Sequence, residues 1–304
     1  MTALSALKYA LFALFVASIL FVHFRGNVRM KLSRQFLDQS ALLAPYNALV
    51  YLFSAVPKDP LLRVDDYPEL LELRRNWELI REEALKLFDE GYIRAAISDN
   101  DVGFNSFFKN GWKRFYLTWY GNALPSAQKL CPRTVALLQS LPTINGAMFA
   151  VLPPGGRLNP HRDPFAGSLR YHLGLVTPNS DDCNIVVDGV AYSWRDGEDV
   201  LFDETYVHHA ENKSDRTRII IFCDVERPLR TEPMRRLNRV VHHFLGSATL
   251  TQNVEGERVG AVNRAFASVK RLQIQVKRLK TYNRNLYYVV KFALIGGILY
   301  AVLA

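Results

Sequence analysis

The chain has 304 residues, of which 49% are apolar and 22% are charged, and its formal net charge is +9. This length allows one large or two modest globular domains, and the apolar fraction is sufficient for a proper hydrophobic core. The three cysteines are odd in number and show no CxxC spacing. They indicate neither a disulfide framework nor a zinc cluster, and they fit a reducing compartment.

The position of the charge indicates the partner better than its sum does. From Leu229 to the end of the chain, 13 Lys and Arg stand against three acids, whereas the rest carries 25 bases and 26 acids. Because this basic tail leads into an apolar segment, it favours an anionic membrane surface over nucleic acid. Neither a G-x-G-x-x-G motif nor a P-loop occurs, so nucleotide binding has no support.

The first element in chain order is an apolar segment from Ala3 to Phe24, 22 residues long. At about 1.5 Å per residue it can cross a hydrocarbon core of roughly 30 Å. A cleaved signal peptide is the alternative, but the apolar stretch is longer than usual and no small-x-small site follows it. We therefore predict an uncleaved anchor at residues 1–25. The bases that follow it predict a cytoplasmic location for the next part of the chain.

A second apolar segment runs from Leu286 to the end of the chain and carries Lys291 near its start. Six Lys and Arg precede it between residues 270 and 284. We predict a transmembrane helix at 286–304, because both basic flanks then face the middle of the chain. A buried core helix is the alternative.

Residues 26–145 are predicted to be a juxtamembrane and helical support region. Within it, residues 31–60 include apolar patches that can lie against the bilayer. Helical spacing of apolar residues predicts one helix over 65–88 and another over 131–141. The aromatic-rich stretch 110–121 predicts one or two strands.

From Gly146 the apolar period changes to two. Five short strands separated by turn residues predict an antiparallel sandwich or barrel at 146–228. The expected core is a jelly roll, a cupin-like double-stranded β-helix. A basic amphipathic helical region follows at 229–285. The predicted class is therefore mainly β with flanking helices and a membrane helix at each end.

Three residues of this core have the spacing of a metal site. His161 and Asp163 form an H-x-D pair, and on a strand such residues share a face. A third ligand lies 45 residues past the aspartate, at His208 or its neighbour His209. Two imidazoles and one carboxylate are typical of non-haem Fe(II) oxygenases. His208 is preferred because it shares the parity of the apolar residues before it, although structural histidines in a polar core are the alternative.

Arg218 indicates a further function for this site. It follows His208 by ten residues, a spacing that suits a turn and a returning antiparallel strand. A guanidinium binds a carboxylate with bidentate geometry, as a dicarboxylate co-substrate requires. Arg170 and His172 lie two apart and share a face, where they either line the same pocket or bond to neighbouring strands. Arg216 is interpreted as a solvent-exposed residue.

Four motifs carry a family resemblance: PPGGRLNPHRDP, LRYHLGLV, WRDGEDVLFDETYVHHA and RTRIIIFCDVERP. In order and spacing they resemble the aspartyl/asparaginyl β-hydroxylase family of Fe(II)- and 2-oxoglutarate-dependent dioxygenases. Outside the motifs, FVHFRGNVRMKLSRQFLDQS and the two terminal anchors resemble one branch of it, the bacterial lipid A acyl-chain 2-hydroxylases.

The resemblance implies an Fe(II) cofactor with 2-oxoglutarate and O2 as co-substrates. It places the iron histidines on His161 and His208, and the 2-oxoglutarate contacts on Arg218, Arg170 and His172. The animal enzyme of this family lacks a carboxylate at the position of Asp163, and its co-substrate serine is replaced here by Ala150.

The implied substrate is lipid A or a related anionic glycolipid in the bacterial inner membrane, with the catalytic domain facing the cytoplasm. A peptidyl Asp/Asn β-hydroxylase of the same fold is the alternative enzyme. A non-enzymatic, membrane-anchored lipid-binding sandwich is the alternative outside enzymes.

Overall fold

The computed structural model describes residues 3–96 and 100–303, so Met1, Thr2 and Ala304, at the ends of the two predicted anchors, lie outside the described residues. The helices within these ranges are α1 Ala3–Phe24, α2 Leu32–Gln35, α3 Gln39–Leu42, α4 Ala44–Phe53, α5 Pro68–Arg75, α6 Trp77–Asp89, α7 Pro125–Leu130, α8 Pro132–Gln139, α9 Glu232–Thr249, α10 Ala261–Tyr282 and α11 Arg284–Leu303. The strands are β1 Leu61–Leu62, β2 Lys113–Trp119, β3 Asn122–Ala123, β4 Ile144–Leu152, β5 Arg157–His161, β6 Ser168–Val176, β7 Cys183–Val187, β8 Val190–Ser193, β9 Asp199–Phe202, β10 His208–Asn212 and β11 Arg218–Glu226.

The strands form two antiparallel sheets. One has seven strands in the order β1-β9-β6-β11-β4-β2-β3, and the other has four in the order β5-β10-β7-β8. Side chains from both sheets line one cavity, so the sheets face each other. The mainly β core with flanking helices is confirmed. Its larger sheet also takes β1, β2 and β3 from the region upstream of residue 146.

The central strands of the larger sheet are buried on both faces. Eight of the nine residues of β6 and of β11 are buried, because the two-sheet cavity covers one face and helices cover the other. The helical cover includes Leu70 and Leu73 of α5 and Ile80, Ala84 and Leu87 of α6. This explains why β11 reads as an apolar run instead of an alternating one.

The helix predicted over 65–88 forms as two helices. Asn76 separates α5 from α6, and its side-chain Nδ2 donates to the Glu72 carbonyl at 2.8 Å. Asparagine competes in this way with the backbone hydrogen bonds of a continuing helix. The apolar spacing predicted the helical conformation correctly, but it did not predict the break at Asn76.

The chain leaving α1 is tied to a hairpin of the smaller sheet. Asp188 and Gly189 connect β7 to β8 and both have positive φ, 50° and 90°, as a two-residue hairpin turn requires. The Asp188 carboxylate accepts hydrogen bonds from the backbone N–H of Asn27 and Val28, at 2.8 and 2.7 Å. The turn thereby fixes the exit of α1.

Helix α4 packs against the core and does not lie wholly on a bilayer. Val50 is fully buried beside Leu229 and Met234, whereas Leu49 and Leu52 are exposed. The C-terminal half of α1 packs against α3 and α4. Of the helices that the structure describes, α1 is the one long and apolar enough to span a membrane by length and composition. The C-terminal segment forms α11, and its membrane crossing stays a prediction.

The expectation that Arg218 returns on a strand paired with that of His208 is wrong. β10 pairs with β5 and β7, whereas β11 pairs with β4 and β6 in the other sheet. The chain crosses between the sheets after Asn212. Arg218 therefore approaches the site from the facing sheet.

Candidate active site

The two predicted histidine ligands meet where two neighbouring strands begin and end. His161 is the last residue of β5, His208 is the first of β10, and their Cα positions are paired in register. Asp163 lies two residues beyond β5, in a loop held by a hydrogen bond from its N–H to the Glu204 carbonyl at 3.0 Å. Sharing a strand face therefore does not explain its position. One ligand atom from each of the three side chains lies within 4.8 Å of the others.

Both histidines are oriented by their own backbone. Nδ1 of His161 lies 2.8 Å from the Asn159 carbonyl, and Nδ1 of His208 lies 3.0 Å from the Tyr206 carbonyl. A carbonyl can only accept, so each Nδ1 carries the proton and each Nε2 presents its lone pair. This tautomer suits metal ligation through Nε2.

Asp163 shares its carboxylate between a ligand position and an arginine. Its Oδ1 lies 3.7 Å from Nε2 of His161, and its Oδ2 lies 2.9 Å from Nη2 of Arg170. Although burial opposes ionisation, Arg170 and the two histidines lower the pKa of Asp163 to about 2. Burial, with His161 nearby, lowers the pKa of His208 to about 3. Near neutral pH, Asp163 is therefore a carboxylate and the imidazole of His208 is neutral.

Arg170 is held by two further buried carboxylates. Its Nε lies 2.9 Å from Asp224, its Nη2 contacts Glu204, and its guanidinium lies over the Phe222 ring. Tyr120 donates to Asp224 at 2.7 Å. Burial raises the pKa of both Glu204 and Asp224, and the neighbouring carboxylate of Asp163 raises both further, although Arg170 acts against this.

Arg218 is buried without an acidic partner among the described residues. It is 2% exposed and lies 4.4 Å from the centroid of the Trp194 ring, and among the described residues it forms no ion pair. Its Nε has no hydrogen-bond partner in the described part of the chain. Burial lowers the pKa of this guanidinium to about 10. A buried cation of this kind requires an anion to compensate it.

The same cavity contains His172 and Ala150. Neither ring nitrogen of His172 has a hydrogen-bond partner among the described residues. Burial, with Arg170 and Arg218 nearby, lowers its pKa well below the usual value, so the imidazole is neutral. The cavity extends from the three candidate ligands to Arg218. Its enclosed volume is about 40 Å³, and the buried guanidinium lies in it together with the three candidate ligands.

A second cavity, of about 440 Å³, opens from the other side of the ligands. His161, Asp163 and Arg170 line both cavities. Its outer wall comes from Arg34, Gln39 and Leu43 on one side and from the C-terminal part of α9 on the other. The candidate ligands therefore border both a small enclosed cavity and a much larger one.

The donor set and the two cavities fit a divalent transition metal with an anionic co-substrate. A family model described as "Aspartyl/Asparaginyl beta-hydroxylase" matches residues 74–228, about half of the chain. The chain belongs to the aspartyl/asparaginyl β-hydroxylase family. By membership of this family it is a hydroxylase.

Two curated relatives of this hydroxylase are informative. An ornithine lipid ester-linked acyl 2-hydroxylase of Rhizobium tropici is 30% identical over 200 residues, covering 65% of this chain and 71% of the relative. The human aspartyl/asparaginyl β-hydroxylase is 31% identical over 176 residues, covering 56% of this chain but 23% of the human protein. Among solved structures, a Pseudomonas putida prolyl-4-hydroxylase covers 49% of this chain and 87% of its own, with 19% identity and a TM-score of 0.35.

The structure of the hydroxylase brings together all six residues selected from the sequence. His161, Asp163 and His208 form the candidate metal cluster, whereas alternation along β10 places His209 on the opposite face. Arg170, His172 and Arg218 line the smaller cavity. Arg170 was expected to contact the co-substrate. Its guanidinium is instead already paired with three carboxylates, those of Asp163, Glu204 and Asp224.

Sequence reasoning missed Glu204, Asp224, Tyr120 and Trp194. Asp224 carried a usable signal, because it is a single acid inside the apolar strand IIIFCDV, where an unpaired carboxylate is costly. Glu204 and Tyr120 carried none, since only the folded arrangement buries them beside Arg170.

Proposed function

We propose that the protein is an Fe(II)- and 2-oxoglutarate-dependent dioxygenase that hydroxylates carbon 2 of an acyl chain of a bacterial membrane lipid. Lipid A is the first candidate substrate. Iron, with 2-oxoglutarate and O2, supplies the oxidising power for an unactivated C–H bond. The catalytic domain lies on the cytoplasmic side of the inner membrane.

The residues of the site have distinct roles in this proposal. His161, Asp163 and His208 hold the iron, and Arg170 keeps Asp163 oriented. Arg218 binds the far carboxylate of 2-oxoglutarate, and neutral His172 donates to the same co-substrate. Aromatic rings pack beside the ligands: the ring centroid of Phe107 lies 4.8 Å from that of His161, and the ring centroid of Phe202 lies 5.7 Å from that of His208.

The lipid assignment rests on the contact between α1 and the segment from His161 to Asp163, which carries two candidate ligands. Arg162 stands between two candidate ligands, is 4% exposed, and donates to the last carbonyls of α1, those of Val22 and His23. If α1 crosses the membrane, the metal site lies at the membrane surface. Carbon 2 of an acyl chain, next to the carbonyl near the head group, lies at the same level.

The orientation rests on charge and on the C-terminal helix. Arg25, Arg29, Lys31 and Arg34 follow α1, which favours a cytoplasmic domain. We include α11 as a second span, since it exposes Val289, Phe292 and Leu294 among other apolar side chains. Both helices then keep the domain at an acidic bilayer.

Ornithine lipid is the second candidate, because the relative from Rhizobium tropici is an ornithine lipid acyl 2-hydroxylase. The carbon attacked is the same, and only the head group differs. A peptidyl Asp/Asn hydroxylase remains the alternative within the family, but a soluble peptide would not require a site held beside α1.

Mass spectrometry of lipids tests the proposal. The wild-type protein and the Asp163→Ala variant are expressed in a bacterium that lacks this activity, and lipid A and ornithine lipids are extracted. We expect one added oxygen per acyl chain, located at carbon 2 by fragmentation, with wild type and not with the variant. The exposed substitution Arg216→Ala serves as the control. Unchanged lipids, together with succinate release on peptides by the purified enzyme, would reject the lipid assignment.

A further inference from the structure

Among the described residues, the large apolar side chains that are exposed lie almost entirely in the helical parts near the two ends of the chain. Among the described residues from 54 to 236, Val190 is the one large apolar side chain that is exposed. By contrast, the segment from α2 to α4 exposes six: Leu32, Phe36, Leu37, Leu42, Leu49 and Leu52. Helix α9 exposes three more, Leu237, Val240 and Phe244. Such a concentration marks a contact surface.

The three exposed residues of α9 lie on one helical face. Leu237, Val240 and Phe244 are 40%, 66% and 71% exposed and follow helical spacing. The opposite face is fixed against the core, since a Cβ at Gly246 would lie 2.1 Å from Tyr120. Helix α9 therefore cannot rotate to bury its apolar face.

The charges beside this face are mainly basic. The side chains of Arg236 and Arg239 are 77% and 57% exposed, and Arg235 lies next to them. All three pair with the one acid of the helix, Glu232, so an excess of positive charge remains. An apolar face flanked by arginines is typical of helices that lie in the head-group region of anionic membranes.

Helices α4 and α9 are neighbours. Tyr46 of α4 donates to Asn238 of α9 at 2.5 Å, and Val50 packs against Met234. We call the exposed apolar residues of α2, α3, α4 and α9 together the α4–α9 surface. Both parts of the chain also line the larger cavity, with Arg34, Gln39 and Leu43 from the α2–α4 segment and Leu245, Gly246 and Thr249 from α9.

We propose that the α4–α9 surface rests in the head-group region of an anionic bilayer, so that an acyl chain enters the cavity directly from the membrane. This inference rests on the proposed membrane location and adds the route of the substrate. A bilayer fits the surface better than a second copy of the chain, because a two-fold contact would bring the arginines of both copies together.

Spin labelling of the full-length protein tests the proposal without measuring activity. The three native cysteines are buried, so a nitroxide attached at Val240→Cys reports on that position. The matched control is Ala136→Cys, an exposed helical position on α8, which packs with α6 on the outer side of the large sheet. Both proteins are reconstituted into vesicles of phosphatidylglycerol and phosphatidylethanolamine.

We expect a several-fold higher ratio of O2 to water-soluble nickel-complex accessibility at position 240 than at 136. The ratio should fall when phosphatidylglycerol is omitted. Equal ratios at the two positions would overturn the proposal. Protection of position 240 from both reagents, in detergent as well as in vesicles, would instead indicate a second copy and would also overturn it. Neither outcome depends on which lipid is hydroxylated.

Discussion

Arg170 holds one oxygen of Asp163 and leaves the other for a metal. Its Nη2 lies 2.9 Å from Oδ2, while Oδ1 of the same carboxylate is 3.7 Å from Nε2 of His161. Arg170 is in turn held by Asp224, which accepts from Tyr120 at 2.7 Å. The direction of the ligand is therefore set by a chain of buried partners.

Replacing Arg170 should weaken metal binding more than co-substrate binding. Lysine keeps the charge but cannot bridge Asp163 and Asp224 with a planar fork. We expect Arg170→Lys to lower metal affinity about 10–100-fold, as loss of groups that orient ligands usually does. Cobalt titration of the metal-stripped protein measures this effect. The surface substitution Arg195→Lys is the control, and a loss confined to 2-oxoglutarate affinity would contradict the assignment.

Arg218→Met should remove co-substrate binding without harming the fold. No ion pair among the described residues is lost, and a buried uncompensated charge disappears. We expect 2-oxoglutarate affinity to fall about 100-fold, since each hydrogen bond to a charged group contributes about 1.5–3 kcal/mol. Thermal stabilisation by added 2-oxoglutarate reports the affinity, with exposed Arg216→Met as the matched control. An unchanged response to 2-oxoglutarate would remove Arg218 from the site.

Ala150→Ser should strengthen co-substrate binding. Ala150 is buried and lines the cavity that contains Arg218 and His172. A hydroxyl there adds one hydrogen bond to an anionic ligand, worth about 1 kcal/mol, or a few-fold in affinity. Calorimetric titration with 2-oxoglutarate gives the comparison. Weaker binding would show that the cavity has no room for the added oxygen.

Asp203 joins the exit of α1 to the core. It is fully buried between Arg25, at 2.5 Å, and Arg227, at 2.8 Å. Asp203→Asn removes the negative charge that pairs with Arg25 and Arg227. It should lower the free energy of unfolding by about 3–5 kcal/mol. Arg25→Met should cost less, because Arg227 still pairs with Asp203. Chemical unfolding in detergent ranks the variants, and the reverse order would refute the role of Arg227.

A buried histidine outside the metal site should make stability depend on pH. Burial lowers the pKa of His242 to about 4, from an ordinary value of 6.5. The unfolded chain therefore binds a proton at a higher pH than the folded chain does, and stability falls as pH decreases from 6.5 to 4. The contribution is about 3 kcal/mol. His242→Leu should flatten this part of the stability profile, whereas exposed His243→Leu should leave it unchanged.

His208 was selected correctly from the sequence, but not for the reason that the structure shows. Parity with Phe202 and Tyr206 favoured it over His209, but the chain turns between Asp203 and Val207 and is not a continuous strand. His208 faces His161 because β10 begins there in register with β5. Strand register with β5, and not parity with the preceding apolar residues, places His208 beside His161.

The sequence by itself determined the apolar N-terminal helix, the change from helical to strand period near residue 146, and the positions of the site residues. These depend on local spacing and side-chain chemistry, which a linear chain displays directly. Only the tertiary structure decided which carboxylates bind Arg170, that Arg218 has none in the described part of the chain, and that Arg162 contacts the end of α1. Each of these depends on pairing between distant strands and helices, and local periodicity carries no information about such partners.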